Sequence, residues 1–199
     1  MRIIKKDFLC VKEVSALLER GELVCFPTDT LYGLLGNPFN EKALNSVYKL
    51  KKRDREKPLI LLFPSLERME ELGIELKFKN LLLKVFPAPL TVVLPLKEES
   101  PLRKLFNRND VAVRIPDDEI LLEVLNAVSP LFAPSANLQG MPPATSCEEC
   151  RKYFKGGVAL CVEGRVKNSP STLIDLTSDT PKVLREGAYP VSKLKEVFG

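Results

Sequence analysis

Short apolar runs bounded by proline, glycine or charged residues dominate the chain, and between them apolar positions recur at helical spacing. Eight runs predict strands: LVCF from Leu23, PLILLF from Pro58, TVVLPL from Thr91, VAVRI from Val111, PLFA from Pro130, VALCV from Val158, TLIDL from Thr172 and KVL from Lys182. Several are apolar on both faces, the pattern of strands buried inside a covered sheet. Helices are predicted over 11–20, closed by Gly21, and over 40–50, 80–86, 117–127, 147–153 and 191–198. Strands alternating with helices make the class α/β. TLIDL and KVL are joined only by the short polar turn TSDTP, so at least one connection is hairpin-like and the sheet is mixed. No repeat and no low-complexity linker divides the chain, so residues 1–199 read as a single domain, a twisted mixed sheet with covering helices.

Three polar segments at the ends of these elements are candidates for chemistry. Phe26-Pro27-Thr28-Asp29-Thr30-Leu31-Tyr32-Gly33 leaves the first predicted strand with two hydroxyls, a carboxylate and a phenol, and strand ends in α/β sheets form binding clefts. Lys51, Arg53 and Lys57 lie between a predicted helix and strand, where one loop can turn several cations toward one anion. Pro130 to Asn137 runs from a strand into a loop in which Ser135 and Asn137 offer hydrogen bonds beside the small Ala136. Arg114 and Arg185 are lone cations after apolar strand residues. Each pattern also has a plain structural reading: local turns for the hydroxyls and amides, a solvated loop for the charge run, ion pairs for the arginines.

Composition narrows the chemistry. There is no histidine, which removes histidine general bases, Ser-His-Asp and Cys-His systems and any zinc site that needs imidazole. The net charge of +4 is accounted for by KLKKRDREK, residues 49–57, with six basic and two acidic side chains. That concentration suits a phosphate-bearing ligand better than a polyanion spread over one face. No GxxxxGK[ST] or GxGxxG motif is present, so another phosphate cradle is needed. Five cysteines at 10, 25, 147, 150 and 161 form no disulfide framework and read as reduced thiols. Ser146 and Glu149 explain the CEEC segment as a capped helix start rather than a redox or metal motif. No apolar run is long enough to span a membrane, and the N-terminus lacks the apolar core of a secretory signal, so a cytoplasmic location is expected.

Taken in order, FPTDTLYGL, YKLKKRDREKPLILL, FPAPLTVVL, VAVRIP, APSANLQGMPPAT and PSTLIDLTSDTPKVLREG resemble the successive motifs of the threonylcarbamoyl-AMP synthase family, also called the YrdC-like domain. The resemblance spans nearly the whole chain and corresponds to the family's single-domain form. It implies a twisted mixed sheet around a deep electropositive cavity. It also implies condensation of L-threonine, bicarbonate (or CO2) and ATP into threonylcarbamoyl-AMP and pyrophosphate, for threonylcarbamoyladenosine modification of tRNA. Mg2+ would accompany ATP, with no resident metal or tightly bound cofactor. Separate proteins would carry out transfer to tRNA, and tRNA itself is a possible contact.

By the same resemblance Lys51 and Arg53, the family's KxR pair, are the expected catalytic residues and hold ATP phosphates. Thr28, Arg114 and Ser171 would bind L-threonine. Ser135, Asn137 and Arg185 would contact the nucleotide, with Lys57 a further ATP contact. The chain departs from the family pattern at Asp54, Ala88, Leu35 and Pro143, where the family usually has proline, glycine, glycine and serine. An RNA-binding module of the same fold without synthase activity is the alternative. Against it, no aromatic side chain is interleaved among the basic residues to give a base-stacking platform.

Overall fold

The computed structural model describes residues 1–198. Among these residues the strands are β1 (Arg2–Lys5), β2 (Val24–Pro27), β3 (Tyr32–Leu35), β4 (Leu61–Leu62), β5 (Leu90–Pro95), β6 (Asp110–Arg114), β7 (Leu131–Phe132), β8 (Leu160–Glu163), β9 (Thr172–Asp175) and β10 (Lys182–Arg185). The helices are α1 (Cys10–Glu19), α2 (Glu41–Lys51), α3 (Leu66–Glu71), α4 (Lys79–Val85), α5 (Pro101–Phe106), α6 (Glu119–Ala127), α7 (Cys147–Phe154) and α8 (Val191–Phe198). All eight predicted strands and six predicted helices are present. Sequence patterning missed β1, β3, α3 and α5.

The strands form two mixed sheets rather than the one expected. One has the order β1-β8-β2-β3, the other β10-β9-β5-β6-β4-β7. In the first, β1, β8 and β2 are parallel and β3 returns antiparallel on β2. In the second, β9 and β10 form the expected antiparallel hairpin. Isolated bridges Gly33↔Ser135 and Gly36↔Phe132 stitch β3 to the strand and loop around β7. Backbone hydrogen bonds from Leu34 to Pro134 (2.8 Å) and from Ala136 to Tyr32 (2.7 Å) carry the two sheets into one another. Gly36 permits that approach, since a Cβ there would sit 2.2 Å from the Phe132 ring.

Helix boundaries follow local chemistry. Asn40 caps α2 by accepting from the Ala43 amide, Asp118 caps α6 from Leu121, and Ser146 caps α7 from Glu149. Gly21, at φ +77, follows α1 as the left-handed stop its sequence position predicts. Helices α1 and α6 bury Val14, Leu18, Leu121, Val124 and Leu125 against Val24, Phe26, Leu160 and Val162 of the first sheet. Each such side chain contributes about 1.5–3 kcal/mol. A second apolar cluster, with Leu61, Phe63, Leu90, Val92, Val113 and Phe132, fills the space under the larger sheet.

The cysteines depart from the expectation of reduced thiols throughout. Cys147 at the start of α7 is bonded to Cys161 of β8, while Cys10, Cys25 and Cys150 are free and buried. The sequence hid this pairing because its two residues lie on different elements and meet only once α7 packs on the sheet. The capping reading of Ser146 holds. Glu149, however, accepts from the backbone amide and hydroxyl of Thr145 rather than from the Ser146 amide.

Candidate active site

A cavity of about 110 Å³ opens where the two sheets meet, and Thr28, Thr30, Arg114, Ser135, Ser171 and Arg185 are among the residues that line it. Thr28 follows the last residue of β2 and closes a tight turn. Its amide reaches Leu31 O at 3.1 Å, its hydroxyl donates to the same oxygen at 2.8 Å, and the amides of Thr30 and Leu31 donate back to the hydroxyl. This local bonding is the turn alternative read from the sequence, and it coexists with a place on the cavity wall. Thr30 Oγ1 lies 3.0 Å from Thr28 Oγ1 and accepts from Arg114 Nη1 at 2.8 Å.

Arg114 ends β6 and is 5% exposed. Its Nη2 is ion-paired with Asp29, whose side chain is 3% exposed. Burial pulls the guanidinium pKa down to about 10, with Asp118 and Asp117 opposing the shift. Arg114 Nε and Asp29 Oδ2 are buried without a protein partner. Across the cavity Ser171 Oγ meets Thr91 Oγ1 at 2.7 Å. Arg185 lays its guanidinium on the Ser171 carbonyl at 2.8 Å and lies 3.3 Å from its hydroxyl. Partial burial lowers the pKa of Arg185 as well.

Ser135 connects this cavity to the basic segment. Lys51, the last residue of α2, is 3% exposed and donates to the Ser135 carbonyl, to the Asn137 carbonyl at 2.7 Å and to Asn137 Oδ1 at 3.0 Å. Ser135 Oγ also donates to Asn137 Oδ1, at 2.8 Å. The Lys51 carbonyl accepts from the Gln139 amide at 3.0 Å, so one lysine holds the 135–139 loop by both ends. Burial, with Arg53 adding to it, lowers the Lys51 pKa to about 8. Arg53 is half-buried, with Nη2 donating to the Pro58 carbonyl at 2.9 Å, and Lys57 is exposed. The 51–57 loop thus approaches the cavity through Lys51 and Ser135, while Arg53 and Lys57 lie outside the cavity wall.

Of the nine residues singled out in the sequence, five border the cavity, Lys51 and Asn137 join it through Ser135, and Arg53 and Lys57 stand on the adjacent loop. Asp29 and Thr30 were visible in the first motif but drew no role, because nothing in sequence spacing says that they meet Arg114 some 85 positions away. Thr91 read as an ordinary strand residue. Only the parallel register of β5 with β9, Leu90 against Thr172, brings it to Ser171.

Comparison with known proteins places this arrangement. Residues 16–187 match the Sua5/YciO/YrdC family model, described as telomere recombination. The chain belongs to this family. A threonylcarbamoyl-AMP synthase of Pyrococcus abyssi is 34% identical over 194 residues, covering 95% of this chain and 57% of the relative. One of Bacillus subtilis is 33% identical, covering 95% and 56%. The chain therefore spans little more than half the length of these two relatives. A protein of Methanocaldococcus jannaschii named as a putative threonylcarbamoyl-AMP synthase is 34% identical and matches almost end to end, at 97% and 96%. Among solved structures, P. abyssi Sua5 complexed with L-threonine superposes with a TM-score of 0.88 at 33% identity, over all of this chain and 60% of that one. Escherichia coli YciO, at 23% identity and a TM-score of 0.82, shares the fold.

Proposed function

We propose that this chain is a threonylcarbamoyl-AMP synthase, joining L-threonine, bicarbonate-derived CO2 and ATP into threonylcarbamoyl-AMP with release of pyrophosphate. The observation that carries this reading is the buried Arg114 guanidinium on a small hydroxyl-lined cavity whose Ser135 is bonded by the buried lysine of the adjoining loop. The cavity is well below the ~300 Å³ of a drug-sized site, so it suits a small amino acid, and a nucleotide must lie mostly outside it. Arg114 offers charged hydrogen bonds to a carboxylate, with Thr28 and Ser171 supplying hydroxyls near the rest of the amino acid. The nucleotide is assigned to the Ser135, Asn137 and Arg185 side, its phosphates to Lys51, Arg53 and Lys57.

The chemistry asks little covalent work of the protein. The threonine amine adds to CO2 with loss of a proton, giving a carbamate. A carbamate oxygen then attacks the α-phosphorus, and the bond to the β-phosphate oxygen breaks as pyrophosphate departs. Charge builds on the leaving group, and positioned cations answer it. Mg2+ is assigned to the substrate, entering as the metal complex of ATP. Among the described residues no group of three histidine, cysteine, aspartate or glutamate side chains is placed to hold a metal ion.

We further propose a cytoplasmic enzyme whose product is passed to separate proteins that modify tRNA. Among the described residues no helix is long and apolar enough to cross a membrane. The test is pyrophosphate release with threonine, bicarbonate and ATP omitted in turn, and mass detection of the acyl-adenylate product. Release that needs all three supports the synthase. Salt-sensitive RNA binding without release under any condition would transfer the assignment to an RNA-binding module.

A further inference from the structure

We propose that Asp29 is a positioning residue for Arg114, fixing the plane and the charge of the guanidinium that receives the amino acid's carboxylate. This rests on the synthase reading for the identity of the ligand. Two neighbours in the 28–31 turn divide the terminal nitrogens of Arg114 between them: Asp29 takes Nη2 and Thr30 takes Nη1. The turn is itself tied by the Thr28 hydroxyl, so these two acceptors stand at fixed places relative to the cavity wall. A planar fork held at both ends keeps one orientation, which a lone arginine at a strand end does not.

The pairing is also incomplete in a way that matters. A purely structural ion pair at this depth closes its hydrogen bonds, yet Arg114 Nε and Asp29 Oδ2 have no protein partner. Asp29 and Thr30 are bonded to one terminal nitrogen each, so Asp29 anchors the guanidinium without exhausting its five N–H donors, and Arg114 borders the cavity where a carboxylate would enter. The charge needs this anchor because Arg114 is 5% exposed, and burial already pulls its pKa down to about 10. Among the described residues the acids near it come from two elements, and Arg185 of β10 is a second cation on the same cavity. Asp29 belongs to the turn after β2, and Asp117 and Asp118 precede α6. Asp118 is engaged by Lys6, which also donates to the Pro27 carbonyl, so Asp29 is the acid in direct contact with the guanidinium.

The experiment is steady-state pyrophosphate release by wild type, Asp29→Asn and Asp29→Glu from pH 7 to 9.5, with threonine and ATP titrated separately. Asp29→Asn is expected to raise the threonine KM at least tenfold while the ATP KM stays within twofold. Its threonine KM should also start rising at a lower pH than in wild type, because a guanidinium that has lost its contacting carboxylate, with only Asp117 and Asp118 left nearby, gives up its proton earlier. Asp29→Glu restores the charge and recovers part of the loss. An Asp29→Asn protein that is less heat-stable but keeps the wild-type threonine KM at every pH overturns the proposal. If Asp29→Asn does not fold, Asp29→Glu and Thr30→Val carry the same split between the two KM values, and no split there overturns it. Should wild type make no use of threonine, the synthase reading falls by itself, and nitrogen-15 spectra of the arginine side chains decide this one. Two distinct, restrained Nη signals for Arg114 that merge on loss of the Asp29 charge support it, and unchanged signals overturn it.

Discussion

The two halves of the cleft are built on opposite principles. The half around Arg114 is made of side chains at strand ends, each nearly sealed from solvent and locked to a neighbour: Thr28 to its turn, Thr30 and Asp29 to Arg114, Ser171 to Thr91. The half around residues 51–57 is a loop on which only Lys51 is buried, while Arg53 is half-buried and Lys57 lies in solvent. A rigid, desolvated pocket can discriminate a small ligand because its groups are placed before binding. A more exposed cationic loop need only meet a polyphosphate, whose charge is diffuse and whose partners are forgiving. On the proposed synthase reading, the contrast assigns selectivity for the amino acid to the sheets and affinity for phosphate to the loop.

Breaking the lysine that ties the loop to Ser135 on the cavity wall should have the largest effect. Lys51→Met leaves the Ser135 carbonyl, the Asn137 carbonyl and Asn137 Oδ1 without their shared donor. It also removes a cation from the phosphate region. Turnover should fall about 100- to 1000-fold in a pyrophosphate-release assay. A variant within threefold of wild type would mean that Lys51 only braces the loop.

The disulfide supplies the next test, since it anchors α7, and α7 follows the 135–146 loop that Lys51 holds. Cys147→Ser opens a crosslink spanning 14 residues. It is expected to cost about 3 kcal/mol of stability, read as a lower denaturant midpoint, while threonine affinity is unchanged. Equal losses of both would show that the halves are not mechanically separate.

The pH dependence of Lys51 sharpens the comparison further. In the fold its ammonium releases a proton near pH 8, against an ordinary value of 10.5. Its charged fraction, and with it ATP affinity, should fall about tenfold between pH 7 and 9. Between pH 8 and 10.5 the unfolded chain binds the extra proton, so Lys51's contribution to stability moves the opposite way and rises with pH. Lys51→Arg should flatten the ATP titration over this range, while wild type minus Lys51→Met isolates the stability slope. The smallest effect belongs to exposed Lys57. Lys57→Ala should weaken ATP binding by about fivefold or less, since a solvated charge contributes at most ~1 kcal/mol.

The sequence carried the alternation of strands and helices because buried runs such as LVCF and VAVRI are apolar on both faces. It hid β3 because the turn into it is made by threonine hydroxyls rather than by the glycine or asparagine that marks most hairpins. It hid β1 because that strand is largely exposed and gains its partner, β8, only from the far end of the chain. Ser65 and Ser100 precede α3 and α5, helices too short for periodicity to reveal. Candidate site residues were legible where a motif placed them on a strand end. Their pairings were not, because Asp29 with Arg114 and Thr91 with Ser171 are contacts between segments distant in sequence.

Calorimetric titration of L-threonine into wild type and Arg114→Ala tests the division of labour most directly. The account predicts one threonine bound per wild-type chain and a loss of at least tenfold in affinity in the variant, with ATP binding unchanged. Equal threonine binding by both proteins would contradict it, because the buried guanidinium would then be no part of the amino-acid site.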